Sequence, residues 1–170
     1  MREVGHNLQQ LRGSSVRLYL DICCLNRPFD NQGQERVRLE SEALVYVLAS
    51  IQGEKNRLIG STILDYENSK NVNCDRQKRV RRILDLAKTY VEIGEKENRR
   101  AIAIAAMGFR ANDAMHIACA ESGKASCLLT TDDGLLKKGA KYTTSLAVAV
   151  CNPIDWVREK DNESGINNPE

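Results

Sequence analysis

Four acidic side chains, Asp21, Glu67, Asp113 and Asp132, stand where apolar segments end or helices begin. Carboxylates at the mouths of parallel strands can converge on one place in a fold. Three or four of them a few Å apart repel strongly in a partly dry cleft unless a cation neutralises them. Hard divalent cations with oxygen ligands are the usual solution, and Mg²⁺ bound this way works on phosphates. Without metal, one of the acids should carry a raised pKa and share a proton.

The segments that would position these acids alternate between strand and helix. The run from Val16 to Cys24 is short, apolar and rich in β-formers, and reads as a buried first strand. A Pro- and Gly-marked loop follows, then a long amphipathic helix over 35–52 with Val37, Leu44, Val45, Leu48 and Ile51 at helical spacing. A second strand is expected over Arg57–Leu64. Ser61 or Thr62 then caps a helix that carries Asp65, Tyr66 and Glu67. A basic helix over 74–90, capped by Asp75, precedes a short strand at Tyr90–Ile93. The next helix begins at Glu95 and ends at Gly108, and Asn112 caps another that stops at Gly123. A strand over 126–133 ends in acid. A short helix over 134–139, a strand at Ser145–Val150 and a helix with Pro153 at an early position close the chain. The alternation predicts an α/β fold: a three-layer α/β/α sandwich with a central parallel sheet, whose ligands bind outside the carboxyl ends of the strands.

The 170 residues suffice for one domain with a real core; 42% are hydrophobic and 28% charged, as in a soluble globular protein. The net charge of +2 is not that of a protein that lives on nucleic acid through electrostatics alone. Six cysteines without a C-x-x-C pair read as reduced, mostly buried thiols, and zinc-ligand spacing is missing. No segment has the apolar length of a signal peptide or a membrane span, so a cytoplasmic protein is expected. Residues 1–15 read as a polar extension, 16–158 as the domain and 159–170 as a flexible tail. No glycine-rich nucleotide loop occurs.

Several neighbours of the acids can contribute. Asn26 can hydrogen-bond an acid or a phosphate oxygen, or merely cap its loop. Thr130 and Thr131 can hold acids through their hydroxyls or simply pack in the strand. His116 lies one helical turn beyond Asp113 and suits a general base or a metal ligand; a structural histidine bonded to a backbone group is the favoured reading. His6 falls in the polar extension. Arg27 and Arg110 flank acidic positions and can contact substrate phosphates. The cluster Arg76, Lys78, Arg79, Arg81 and Arg82 can steer a phosphate backbone, although a solvated helix face is the commoner meaning of such a run. Aromatic residues make up only 5%, which argues against a broad base-stacking platform.

The segments YLDICCLNRPFD, STILDYENSKN, RANDAMHIACAESG and CLLTTDDGLL resemble those of the PIN domain family, the fold of Mg²⁺-dependent ribonucleases that includes VapC-type toxins. The resemblance runs from about residue 16 to about residue 155. It implies that Asp21 is the first-strand acid, Glu67 the acid on the helix after the second strand, Asp113 the acid opening a helix, and Asp132 the acid at the end of the fourth strand. Asp133 is the rival for that last place, and Asp65 a minor competitor of Glu67. Asp21, Asp113 and Asp132 are then the expected metal residues, with Asp21 and Asp113 as direct ligands; Asp132 and Glu67 bind a second metal or orient its water. The implied activity is a Mg²⁺- or Mn²⁺-dependent endoribonuclease, the toxin of a type II toxin–antitoxin pair. Its partners are an RNA substrate, an antitoxin and a second copy of the chain. The alternative is a PIN-fold RNA- or protein-binding module with little or no catalysis. A phosphatase of another doubly wound fold would want a D-x-D nucleophile, whereas Asp21 is followed by Ile22 and Cys23.

Overall fold

Five short strands form one parallel sheet in the order β3-β2-β1-β4-β5. They are β1 (Val16–Leu20), β2 (Asn56–Ser61), β3 (Thr89–Val91), β4 (Cys127–Leu129) and β5 (Ala149–Cys151). The computed structural model describes residues 15–165. Leu18, Tyr19 and Leu20 are consecutive and all fully buried, so β1 is covered on both faces. That is why it reads as a continuous apolar run and not as an alternation. The helices are α1 (Ile22–Asn26), α2 (Glu35–Gln52), α3 (Thr62–Ser69), α4 (Cys74–Leu84), α5 (Glu95–Ala106), α6 (Ala111–Ser122), α7 (Asp133–Lys141) and α8 (Pro153–Gly165). They complete a three-layer α/β/α sandwich in which α2 packs against α8, α5 against α6, and α3 against both α4 and α6.

Connectivity fixes where a site can form. From β1 the chain passes to β2 on one side of the sheet, and from β4 it passes to β5 on the other. The carboxyl ends of β1 and β4 therefore flank the point where the winding direction reverses, and the crevice outside that point is the usual ligand site of an open α/β sheet. The register pairs Leu20 with Leu129, so both strands end level. Asp21 follows at once and donates its backbone N–H to the carbonyl of Leu129 at 3.0 Å.

The expected order of strands and longer helices holds, with α1 added where strand and loop were expected and with differences at the ends. β1 stops at Leu20, because the Asp21 carboxylate accepts the Ile22 N–H at 2.7 Å and turns the chain into α1. β2 likewise ends at Ser61, whose hydroxyl caps α3. Asn73, not Asp75, caps α4. Arg110, not Asn112, occupies the cap position of α6, with no side-chain cap bond. Residues 159–165, expected in a flexible tail, continue α8. The polar extension through residue 14, His6 and residues 166–170 lie outside the described residues. All six cysteines are free, with Cys24, Cys119 and Cys127 buried. No helix among the described residues is long and apolar enough to cross a membrane.

Candidate active site

Asp21 is 5% exposed and anchors the centre of the crevice. Besides capping α1 through Oδ1, it accepts the Thr130 hydroxyl on Oδ2 at 2.9 Å and the Cys23 thiol at 3.1 Å. Thr130 is fully buried just past β4, and its hydroxyl also accepts the Asp132 N–H at 3.1 Å. One hydroxyl thus ties the acid after β1 to the backbone that presents the acid after β4.

Asp132 caps α7 through Oδ1, which accepts the Leu135 N–H at 2.9 Å. Its other oxygen faces the Arg110 guanidinium at 3.0 Å, and the same guanidinium faces Asp113 Oδ2 at 3.2 Å. Asp113 and Asp132, 19 positions apart by their numbers, therefore share one cation. Burial raises the Asp113 pKa; Arg110 pulls it down, and the charges of Asp21 and Asp132 push it up again, leaving it above the ordinary value. Burial is the main cost that Asp113 bears, and crowding by the two neighbouring carboxylates adds to it. A divalent ion would relieve that crowding, so the oxygen donors of Asp21, Asp113 and Asp132 suit one in both charge and ligand type.

Glu67 enters from α3 on the other side of Asp21. Its Oε1 accepts the Asn112 amide at 2.9 Å, and its Oε2 lies 2.8 Å from His116 Nε2. His116 is 1% exposed, and Nε2 also lies 3.6 Å from Asp21 Oδ1. Its Nδ1 meets the buried Tyr19 hydroxyl at 2.8 Å, which in turn meets Ser61 Oγ at 2.7 Å. Burial alone would push the His116 pKa down; the Glu67 hydrogen bond and the charges of Asp21, Glu67 and Asp113 overcome it and leave the value raised. One donor atom each from Asp21, Glu67 and His116 lies within 4.8 Å of the others, the kind of spacing a metal ion needs. The expectation that His116 bonds a backbone group is corrected here: both ring nitrogens meet side chains of the site.

Other candidates turn elsewhere. Asp133 is held by a bidentate pair with Arg36, at 2.7 and 2.9 Å. Asp65 bonds Arg81 and, at 2.7 Å, the Tyr90 hydroxyl. Asn26 donates to the Ile22 carbonyl at 3.0 Å and accepts from Asn71 at 3.2 Å, as a loop-capping amide does. Arg27 faces the fully buried Glu40 at 2.7 Å and Asp30 at 3.3 Å. Thr131 contributes only backbone, its N–H to Cys23 Sγ and its carbonyl to Arg36. Within the basic cluster, Arg76 pairs with Asp30, Arg81 with Asp65 and Asp85, and Arg79 lies over the Phe29 ring. Cys23, Tyr19, Ser61 and Asn112 were not anticipated in the site. Tyr19 had a signal, because residues two apart on a strand face the same way and Asp21 follows it by two.

The family model for the PIN domain matches residues 19–141, which span all four acids. The chain belongs to the PIN domain family. No curated protein matches it significantly. Two solved structures are similar in fold to this PIN domain. One is PAE2754 from Pyrobaculum aerophilum, at 20% identity, a TM-score of 0.45, and coverage of 80% of this chain and 88% of that one. The other is VapBC2 from Rickettsia felis bound to a DNA fragment from their promoter, at 15% identity and a TM-score of 0.48, covering 81% and 98%.

Proposed function

We propose that this PIN domain is a divalent-metal-dependent endoribonuclease, with Asp21, Glu67, Asp113 and Asp132 as its acidic site. The observation that carries the reading is the convergence of these residues, from four separate elements, on the crevice outside β1 and β4. Asp21, Asp113 and Asp132 would hold Mg²⁺ or Mn²⁺. Such an ion supplies Lewis-acid charge to a phosphodiester and acidifies water.

The remaining work belongs to side chains. Thr130 keeps Asp21 from rotating and sets the backbone of Asp132. His116 and Asn112 hold both oxygens of Glu67, so this carboxylate is oriented before substrate arrives and can accept a proton from water without reorganising. Arg110 is largely exposed at the rim of the acid cluster, and its guanidinium can move from Asp113 and Asp132 to a substrate phosphate. Arg27 stays out of this proposal, since Glu40 and Asp30 engage it. Asp133 and Asp65 stay out for the same kind of reason.

The biological role we propose is the toxin of a toxin–antitoxin pair, with a partner protein that covers the acidic crevice. It follows from family membership, and RNA is the proposed substrate on the same ground. The deciding assay incubates purified protein with structured RNA in Mn²⁺, Mg²⁺ or EDTA, beside Asp21→Asn and Asp113→Asn. Cleavage that needs metal and vanishes in both variants is expected; cleavage that survives either substitution refutes the site. Growth arrest on expression, absent in Asp21→Asn, is expected of a toxin, and unimpaired growth would remove that role alone.

A further inference from the structure

The side of the crevice lined by Glu67 and His116 differs in chemistry from the side where Asp113 faces Asp132. Asp113 and Asp132 offer oxygen only, and an internal guanidinium already bridges them. Across Asp21, the third donor is nitrogen. We propose that His116 Nε2 is a metal ligand, which with Asp21 and Glu67 makes the site prefer an imidazole-accepting first-row transition ion over Mg²⁺. This deepens the metal-nuclease reading and rests on it.

Geometry supports the assignment. Ligand atoms at about 2.1 Å from one ion stand about 3 Å apart at right angles and about 3.4 Å apart in a tetrahedron. His116 Nε2 lies 2.8 Å from Glu67 Oε2 and 3.6 Å from Asp21 Oδ1, on either side of those values. The imidazole is also braced as ligating histidines are, through its other nitrogen. Without an ion, Nε2–H donates to Glu67 Oε2 at 2.8 Å; a bound ion would replace that hydrogen bond, and the proton must then sit on Nδ1 and be accepted there. The Tyr19 oxygen at 2.8 Å can accept it, provided that Tyr19 gives its own proton to Ser61 Oγ at 2.7 Å. Each donor in that chain finds one acceptor, so the ligating tautomer leaves no N–H or phenol O–H of the chain unmatched. Nor is the ring there for packing alone. It is 1% exposed, on a helix whose other buried side chains are Ala114, Ile117, Ala118, Cys119 and Ala120, and a hydrophobe would fill the volume without the cost of a polar ring. Mg²⁺ strongly prefers oxygen and keeps its waters, whereas imidazole suits later first-row ions, so a nitrogen ligand tilts selectivity toward the latter.

The test uses the full chain loaded with Mn²⁺ and read by pulsed electron paramagnetic resonance, which detects a directly bonded imidazole ¹⁴N. Titration calorimetry with Co²⁺ and Mg²⁺ runs in parallel. Expected are a ¹⁴N signal in the wild type that persists in His6→Gln and disappears in His116→Gln, and a Co²⁺ affinity that falls about tenfold or more in His116→Gln while that for Mg²⁺ changes less than about twofold. The wild-type spectrum needs no variant to fold, so the proposal stays open to refutation if His116→Gln is unstable. Bound Mn²⁺ without ¹⁴N coupling would overturn the nitrogen ligand and leave the carboxylate nuclease standing. Failure of the wild type to bind any of the three ions would overturn both readings.

Discussion

Replacing Thr130 by valine removes one hydroxyl that does two jobs, and the loss can be worked out from its partners. The hydroxyl donates to the buried Asp21 carboxylate at 2.9 Å and accepts the half-buried Asp132 N–H at 3.1 Å. A hydrogen bond to a charged group is worth about 1.5–3 kcal/mol. Leaving a partly buried N–H without an acceptor adds about 1 kcal/mol, toward the low end of the range because water can reach part of Asp132. Valine keeps the shape, so no cavity term is added. We expect Thr130→Val to lose about 2.5–4 kcal/mol at pH 7 in EDTA, measured by urea unfolding, or roughly 5–16 °C in Tm at about 2–4 °C per kcal/mol for a chain of this size. Thr130→Ser keeps the hydroxyl and gives up a methyl group, at about 1 kcal/mol. Divalent-ion affinity should fall about 10- to 100-fold in the valine variant, as for other groups that orient ligands, and stay near wild type in the serine variant. If valine and serine destabilise equally, the hydroxyl is not what holds Asp21, and the account of how the site is assembled is wrong.

Asp132→Asn should reduce metal-dependent cleavage to the level seen with chelator, whereas Asp133→Asn, which frees only Arg36, should leave cleavage near wild type; the reverse pattern would make Asp133 the fourth acid. Arg110→Met should lower Tm in EDTA, because Asp113 and Asp132 lose the cation they share, and the gap from wild type should close when Mn²⁺ is added; a gap that persists in Mn²⁺ would show that the bridge serves only the fold. Glu97 accepts the Ser122 hydroxyl and the Gly94 N–H, which lower its pKa in the folded state. Its stabilisation is therefore complete above the unfolded glutamate value of about 4.3 and is lost as pH falls through the lower folded value. Unfolding curves of wild type and Glu97→Gln should accordingly differ most near neutral pH and converge in acid; parallel curves down through that range would contradict the hydrogen bonds at the start of α5.

Much of this architecture is legible in the sequence because β1 and β4 are apolar runs bounded by turn signals, and because Val37, Leu44 and Ile51 mark the buried face of α2, although Val45, expected on that face, is 59% exposed. Strand ends are not, since Ile22, Cys23 and Cys24 continue the apolar run while the backbone has already turned into α1; hydrophobicity cannot separate a buried strand from a buried helix over so short a stretch. The choice between Asp132 and Asp133 depends on Arg36, nearly a hundred positions away, which no local pattern predicts. The same holds for His116. Its spacing from Asp113 places it on the correct face, but only the fold shows that Glu67 and Tyr19 wait on its two nitrogens. The cap of α6 departs from the local pattern for a related reason. Asn112 is a good capping residue in isolation, yet its amide is drawn to Glu67, and the cap position falls to Arg110.

Asp21 belongs to both halves of the crevice, and this asymmetry bears on how the site can fail. Its Oδ1 faces His116 while its Oδ2 is fixed by Thr130, the residue that also places Asp132. Loss of Glu67 or of Asp132 leaves one half assembled. Loss of the Asp21 charge removes an attraction that raises the His116 pKa and a repulsion that raises the Asp113 pKa, so both halves change together. Asp21→Asn should therefore be the most damaging single substitution for metal affinity. Its loss of stability without metal should be no larger than that of Thr130→Val, because relief of like-charge crowding offsets part of what the lost Thr130 bond costs and the amide oxygen can still cap α1. A large loss of affinity beside a stability loss no greater than that of Thr130→Val, measured by calorimetry and by urea unfolding in EDTA, is the signature of a carboxylate kept for its ligand chemistry; a greater loss of stability would mean that Asp21 is retained chiefly to cap α1.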